Sequence, residues 1–201
     1  TAILRVLRPD VPRLTWQHLI TNKLRVTFGF DFARPILDSL DWSSELYELL
    51  SSCQIFTRMC WLKTISGGWT TTTRMHETVK LTCIFGCARH AECLDSMLHY
   101  LECPVLWQLV NTVCDGELSV EISDRVCILN PSLCKLQRLC IAHGIYHFCK
   151  NDDACLSRGS LASPLFVQNR GAEAAKAISH FCKARRIGQS SAADQSNPPV
   201  N

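Results

Sequence analysis

Apolar residues recur at intervals of three and four positions along much of the chain, and this spacing predicts amphipathic helices. One helix is predicted over residues 14–28 and a second over about 35–53, where Ser43 or Ser44 could cap a new start. The apolar positions in both segments are typical of helix faces that pack into a core. The pattern therefore predicts a mainly α-helical domain.

Helical spacing returns in the second half of the chain. Residues 98–113 predict a helix in which Pro104 requires a kink or a fresh first turn. Further helices are predicted over about 130–150, where the initial Asn-Pro pair supplies a cap and a first-turn proline, and over about 171–184. Residues 118–129 could form a strand or an irregular segment.

These patterns divide the chain into four parts. Residues 1–57 form an N-terminal helical segment, and 58–113 contain the candidate metal-binding motif described below. Residues 114–184 form a C-terminal helical segment that packs on the rest, and 185–201 are expected to be a disordered tail because they are poor in apolar residues. The chain begins with threonine, so we interpret it as a fragment or a processed chain.

A loop rich in threonine and glycine is predicted over about 60–77, because two consecutive glycines at 67 and 68 interrupt any helix. Its basic residues could contact phosphates, and its two tryptophans, Trp61 and Trp69, could stack on bases. The alternative is that both tryptophans anchor the loop to the core, since tryptophan is buried on average. The candidate nucleic-acid contacts are Lys63, Trp69, Arg74 and Lys80.

Four residues between 83 and 103 have the spacing Cys-x3-Cys-x11-His-x3-Cys. Gly86 can take the positive φ that lets the first two cysteines point the same way, and His99 and Cys103 share one helix face. Zinc binds four such ligands tetrahedrally, and a site filled by protein alone is structural. The motif therefore predicts a knuckle with structural zinc bound by Cys83, Cys87, His99 and Cys103.

Other cysteines and histidines leave alternatives open. The chain has 13 cysteines in 201 residues, so some could reach suggestive spacings by accident and serve as small core residues. His90 and Cys93 lie between the two halves of the motif, and Cys93 could replace one of the four ligands. A second structural site is a further alternative to a packed helix face; its ligands would be Cys140, His143, His147 and Cys149 or Cys155.

Composition places the chain among folded proteins, with 47% hydrophobic residues and a net charge of +3. Residues 1–34 carry six arginines and lysines against two aspartates, so this arm could touch phosphates; the alternative, which we favour, is a solvated basic face. The beginning of the chain lacks the apolar region of a signal peptide, and many thiols are typical of a reducing compartment. We therefore expect an intracellular protein with no membrane span and no small-molecule substrate.

No catalytic constellation is found in the sequence. His143 and His147 have the spacing of zinc proteases, but Gly144 stands where the general-base glutamate would follow. Asp152 and Asp153 form a carboxylate pair without the third acid that two-metal sites need. Phosphate-binding glycine loops and nucleophile elbows are also missing, so we expect a protein that is not an enzyme.

Several short motifs between about residues 60 and 110 occur together in one known family. They are Leu62-Lys63-Thr64, Gly68-Trp69-Thr70, Arg74-Met75-His76-Glu77, Cys83-Ile84-Phe85-Gly86-Cys87, His99-Tyr100-Leu101-Glu102-Cys103-Pro104 and Leu106-Trp107. This run resembles the zinc-binding segment downstream of the polymerase domain in reverse transcriptases of non-LTR (LINE-type) retroelements, in particular versions from dinoflagellate genomes.

The resemblance implies a specific role for the chain. It carries over the same four ligands and implies a non-catalytic tail that grips template RNA or target DNA, with a polymerase domain upstream and a nuclear location. The polymerase aspartate pair is missing from this sequence, and so is the nuclease motif that some relatives place after the knuckle. The alternatives are a zinc-stabilised protein-interaction module and a decayed retroelement fragment without function.

Overall fold

A computed structural model describes residues 13–28, 42–79, 81–87, 93–116, 119–157 and 160–193. Within these ranges the chain is mainly helical, as predicted, and two short antiparallel strands pair with each other. None of the described helices is long and apolar enough to cross a membrane. The elements are α1 (Arg13–Phe28), α2 (Trp42–Ser52), α3 (Ile55–Ile65), α4 (Met97–Glu102), α5 (Pro104–Asn111), α6 (Ile122–Arg125), α7 (Leu133–Asn151), β1 (Leu156–Ser157), β2 (Ser160–Leu161) and α8 (Pro164–Ala193).

The first two predicted helices correspond to α1 and α2, although residues 29–41 of this region lie outside the described residues. The loop predicted from residue 60 is wrong at its start, because helix α3 continues to Ile65. The apolar residues of this helix are spread around its circumference and do not form one face, so their spacing does not have the periodicity that predicts a helix. The chain leaves the helix at Ser66 and turns at Gly67, where φ is 64°.

The break predicted at Pro104 is confirmed, since α4 ends at Glu102 and Pro104 is the first residue of α5. The predicted cap of the next helix is wrong. Asn130 lies outside α7 with a φ of 47°, and Ser132 caps the helix by accepting a hydrogen bond from the Lys135 amide. The segment 118–129, which the pattern left undecided, contains the single turn of α6.

Helix α7 is the centre of the core and packs against α3, α5, α6 and α8. Its buried residues include Leu136, Leu139 and Ile145. Helix α8 crosses close to it at Gly144, where a Cβ atom would lie 2.6 Å from Ile178 Cδ1. The last predicted helix is longer than expected, with a helical backbone from Pro164 to Ala193, and residues 194–201 of the expected tail lie outside the described residues.

Candidate metal centre

The first half of the predicted zinc motif is a turn held by an antiparallel bridge between Thr82 and Leu94. Beside this bridge, the Cys83 amide donates to the Cys93 carbonyl at 2.8 Å. The turn then closes through a 3.0 Å hydrogen bond from the Gly86 amide to the Cys83 carbonyl, with Gly86 at a φ of 64°. The bridge and the turn together fix the backbone positions of Cys83 and Cys87.

The second half of the motif comes from α4 and the junction with α5. Ser96 caps α4 by accepting a hydrogen bond from the His99 amide at 3.3 Å. Cys103 lies between the two helices, as the C-cap of α4 and the N-cap of α5, and Pro104 follows it. Because proline cannot continue the first helix, the chain changes direction at Cys103 and keeps this ligand next to the turn.

The structure brings Cys83, Cys87, His99 and Cys103 together. Their four potential ligand atoms all lie within 4.8 Å of one another. The two sulfurs of Cys83 and Cys103 are 3.7 Å apart, close to the edge of about 3.8 Å that follows from tetrahedral Zn–S bonds. Cys87 Sγ lies 3.2 Å from His99 Nε2. The three cysteines are buried and the histidine is half-buried, so the cluster has the enclosed character of a structural site.

The thiols of Cys83 and Cys103 influence each other's ionisation. The hydrogen bond from Cys103 lowers the pKa of Cys83 to about 4, despite its burial. The same contact and burial raise the pKa of Cys103. Within this pair, one thiolate is therefore favoured and a second is not, unless a cation balances the charge. A divalent metal ion supplies this charge, which is why thiolate sites bind metal and release protons together.

A completely buried carboxylate, Asp95, lies directly behind the knuckle. Its Oδ1 accepts hydrogen bonds from the hydroxyls of Tyr100 at 2.7 Å and Tyr146 at 3.1 Å. Its Oδ2 accepts from the Thr72 amide at 2.7 Å and forms an ion pair with Lys150 at 3.0 Å. Asp95 therefore connects the metal-site segment to α7, with all four of its partners in place.

Tyr100 extends this network to the metal turn. Its hydroxyl oxygen also accepts the Ile84 amide at 3.2 Å, between the two cysteines of the turn. Burial, and after it the charge of Asp95, raise the pKa of Tyr100 well above its ordinary value, so the phenol stays protonated and donates to Asp95. The turn that carries Cys83 and Cys87 is thus held from behind by a buried hydrogen-bond network.

The two extra ligand candidates from the sequence have different positions. Cys93 is buried, but it does not belong to the four-residue cluster, and its contact with the motif is made through its carbonyl. His90 lies outside the described residues. The described part of the chain therefore offers Cys83, Cys87, His99 and Cys103 as its metal-binding set, and the role of Cys93 as a substitute ligand stays a prediction.

The candidate nucleic-acid residues divide into exposed and buried ones. Lys63 and Arg74 are exposed, whereas Lys80 lies outside the described residues. Trp69 is fully buried; its indole N–H donates to Thr64 Oγ1 at 3.0 Å, and its ring stacks on that of Tyr146. A ring that is packed in this way presents no free face to a base, and binding of nucleic acid by Trp69 stays a prediction. Its ring is occupied by the core, which is the alternative weighed above.

The histidines of α7 form a second grouping, which includes a residue that the sequence did not single out. The sulfur of Cys60, from α3, lies 3.6 Å from His143 Nδ1. The Cys140 thiol forms a hydrogen bond with this sulfur. His143 and His147 pack with ring centroids 4.2 Å apart. Among the described residues these side chains do not converge into a metal-binding group. Cys149 and Cys155 lie elsewhere and hydrogen-bond to each other.

Asp95 and Cys60 are the residues that sequence reasoning missed. Asp95 stands in a polar interval that looks like a surface turn, and Cys60 stands in the segment predicted as a loop. A helical prediction for α3 would have placed Cys60 in the core, but no local signal identifies Asp95.

No protein-family model, curated protein or solved structure matches this chain. The site is therefore interpreted from its own residues.

Proposed function

We propose that Cys83, Cys87, His99 and Cys103 bind one structural zinc ion. The observation that carries this proposal is the convergence of three sulfurs and one imidazole nitrogen within 4.8 Å. Thiolate and imidazole ligands in a tetrahedral arrangement favour zinc over magnesium or calcium, which prefer oxygen. All four positions are filled by protein, so the ion stabilises the fold and does not act on a substrate.

Zinc binding would stabilise the whole centre of the domain. The ligands come from two halves, the turn at 83–87 and helix α4 with Cys103. One ion would add metal bonds to the contacts that the bridge, the Asp95 network and the Phe85–Tyr100 ring pair already make between them. Because an unfolded chain rarely holds a preformed site, metal-binding free energy becomes folding free energy. The expected consequence is a domain that loses structure when a chelator removes its metal.

We further propose that this zinc-stabilised domain binds nucleic acid as the non-catalytic C-terminal region of a retroelement reverse transcriptase. Two features support this: the resemblance of the segment around the site, and exposed cations. Lys63 and Arg74 are exposed just before the knuckle. In α8, Lys176 is a further exposed cation. Such cations are suited to phosphate contacts.

The zinc proposal can be tested with a pair of cysteine variants. Cys83→Ser removes a proposed ligand, whereas Cys93→Ser changes a neighbouring buried cysteine outside the cluster. Zinc content is measured by elemental analysis and native mass spectrometry after purification with added zinc. We expect one zinc per chain in the parent and in Cys93→Ser, and none in Cys83→Ser. A chain that contains no zinc and keeps its helicity in chelator would overturn the proposal.

The nucleic-acid proposal needs a separate measurement. Binding of the zinc-loaded chain to a random RNA and a random DNA duplex is measured between about 50 and 200 mM salt, a range in which several phosphate contacts reduce affinity by orders of magnitude. Lys63→Gln with Arg74→Gln should weaken binding and flatten the salt dependence, with zinc content unchanged. Affinity that does not depend on salt, or no binding at all, would contradict the proposal.

A protein-interaction module is the second candidate function. Two apolar residues at the start of α8, Leu165 and Phe166, are 68% and 41% exposed. Their neighbour Pro164 packs directly on Gly86 of the metal turn, so this exposed pair lies beside the knuckle. A partner that binds here would be insensitive to salt and sensitive to Leu165→Ser. That outcome in a binding assay would favour the second function over the first.

A further inference from the structure

A second group of thiols lies between α3 and α7, separate from the proposed zinc centre. Cys60 projects from α3 and Cys140 from α7, and both are almost completely buried. Cys60 Sγ is 3.6 Å from His143 Nδ1 and is also in hydrogen-bond contact with the Cys140 thiol. A cysteine with an imidazole on one side and a second thiol on the other has the components of a redox-active pair.

We propose that Cys60 and Cys140 form an oxidation site, in which a hydroperoxide oxidises Cys60 and Cys140 then resolves it to a reversible disulfide. Neither residue belongs to the proposed zinc ligands, so the inference does not depend on the zinc proposal. The disulfide would covalently join two helices that already pack against each other in the core.

The surroundings of Cys60 favour its thiolate form. Hydrogen bonding from Cys140, and to a smaller degree from His143, lowers the pKa of Cys60 to about 5 against the opposing effect of burial. Nε2 of His143 is buried without a hydrogen-bond partner among the described residues, and Nδ1 is the ring nitrogen that faces the sulfur. The thiolate, not the thiol, is the nucleophile in peroxide chemistry.

The reaction balances with a hydroperoxide as the only oxidant. The Cys60 thiolate attacks one peroxide oxygen, the O–O bond breaks, and a sulfenic acid forms as hydroxide leaves. The Cys140 thiol then gives up its proton to that hydroxide, producing water, and its sulfur attacks the sulfenic sulfur. The S–S bond forms and the S–O bond breaks, and the second hydroxide takes the proton that Cys60 released on ionisation. Two thiols and one hydrogen peroxide thus give one disulfide and two waters.

We infer that a small oxidant reaches the buried thiols by local opening beside two side chains. Lys63 lies one turn further along α3 and is exposed, and the half-buried His147 lies beside His143. Hydrogen peroxide is close to water in size, so opening of these two side chains would admit it. A dithiol reductant would reverse the reaction by thiol–disulfide exchange.

The test uses the full chain loaded with zinc and treated with one to ten equivalents of hydrogen peroxide. Remaining thiols are alkylated under denaturing conditions, disulfides are mapped by mass spectrometry, and released zinc is followed with a colorimetric chelator. We expect a Cys60–Cys140 disulfide before zinc is released. His143→Gln should slow its formation about tenfold, because the thiolate loses a hydrogen-bond donor. Cys134→Ser, which changes an exposed cysteine, should leave the rate unchanged.

A third variant identifies the order of the two steps. In Cys140→Ser the sulfenic acid of Cys60 cannot be resolved, so dimedone should label Cys60 and no disulfide should form there. If Cys60 and Cys140 are still free thiols after the zinc ligands have been oxidised, the proposal is wrong. Pairing of Cys60 with a different cysteine, or an unchanged rate in His143→Gln, would also overturn it. The mapping in the parent chain gives a decisive result even if a variant fails to fold.

Discussion

Replacement of Asp95 by asparagine removes the charge from the carboxylate behind the metal turn while keeping its size. The parent side chain is completely buried and accepts from two hydroxyls, one amide and one ammonium group. An asparagine has one oxygen and one NH2 group, and every neighbour of this position is a donor. An NH2 group placed at Oδ1 would require the hydroxyls of Tyr100 and Tyr146 to turn from donating to accepting. An NH2 group placed at Oδ2 would face the Thr72 amide and the Lys150 ammonium, neither of which can accept a hydrogen bond.

The magnitude follows from the partners that are left behind. Lys150 is only 11% exposed at its side chain, so without Asp95 it would keep its charge with little water and no anion. Loss of one member of a buried ion pair costs about 3–5 kcal/mol, because the other charge stays uncompensated. A lost hydrogen bond to a charged group costs about 1.5–3 kcal/mol and is partly included in that figure. We expect Asp95→Asn to lower the free energy of unfolding by about 3–5 kcal/mol.

The assay is urea unfolding at a fixed free zinc concentration, followed by tryptophan fluorescence. Trp61, Trp69 and Trp107 are all buried, so their emission reports the loss of the core. Lys150→Met and the double variant complete a double-mutant cycle that isolates the coupling of the pair. Asp124→Asn serves as the control, because Asp124 and its partner Lys135 are 30% and 25% exposed. That half-buried but solvated pair should contribute less than about 1 kcal/mol.

The reasoning would be refuted by a small effect. If Asp95→Asn costs no more than Asp124→Asn, the carboxylate is not the buried anion that the structure describes. If the cycle shows no coupling between Asp95 and Lys150, the cost comes from the hydroxyl and amide contacts and not from the ion pair. A loss of zinc without a loss of stability would point instead to a direct role in metal binding.

Three further predictions concern the turn, an imidazole and a tryptophan. Gly86→Ala should cost about 2–5 kcal/mol and weaken zinc binding, because the added Cβ would lie 2.6 Å from Pro164 Cγ and the positive φ adds a penalty of about 1–2 kcal/mol. Gly67→Ala has the same φ, but its Cβ would make only an ordinary contact with Thr27 at 3.6 Å, so it should show only the φ penalty in urea unfolding. Burial lowers the pKa of His147 from its ordinary 6.5 to about 3, so the unfolded chain binds this proton more tightly and the free energy of unfolding falls as the pH drops below about 6.5. In unfolding measured at pH 7, 6 and 5, His147→Gln should abolish this part of the pH dependence, which is at most about 1.4 kcal/mol per pH unit and smaller because the ring is only half-buried. Trp69→Phe should lower stability by about 1–3 kcal/mol and leave the nucleic-acid affinity of the folded chain unchanged, whereas a selective loss of affinity would return Trp69 to the binding surface.

The metal cluster could be predicted from sequence because its geometry is local. The ligands lie within one short stretch, Gly86 permits the turn between the first two, and the interval between His99 and Cys103 matches one turn of helix. Each of these relations depends on neighbours along the chain. Pro104 and the break between α4 and α5 could be predicted for the same reason, since proline acts on the residues next to it.

The remaining features depend on distant parts of the chain. Asp95 is buried because α7 brings Tyr146 and Lys150 to it, from 51 and 55 residues further along. Helix α3 escaped prediction because it is apolar on several sides, as expected for a helix covered by α1 and α7. The sequence did not determine whether Trp69 is exposed or buried. Its ring is buried because it packs against Tyr100 and Tyr146, which lie 31 and 77 residues further along the chain. No pattern within ten or twenty residues contains this information.

The partners of Asp95 are synthesised at different times. All four proposed zinc ligands, and the Tyr100 and Thr72 partners of the carboxylate, precede α7 in the chain. Packing of α7 supplies the last two partners, Tyr146 and Lys150. If Lys150 were buried before Asp95 had taken its place, the ammonium group would lack its anion, at a high cost in free energy.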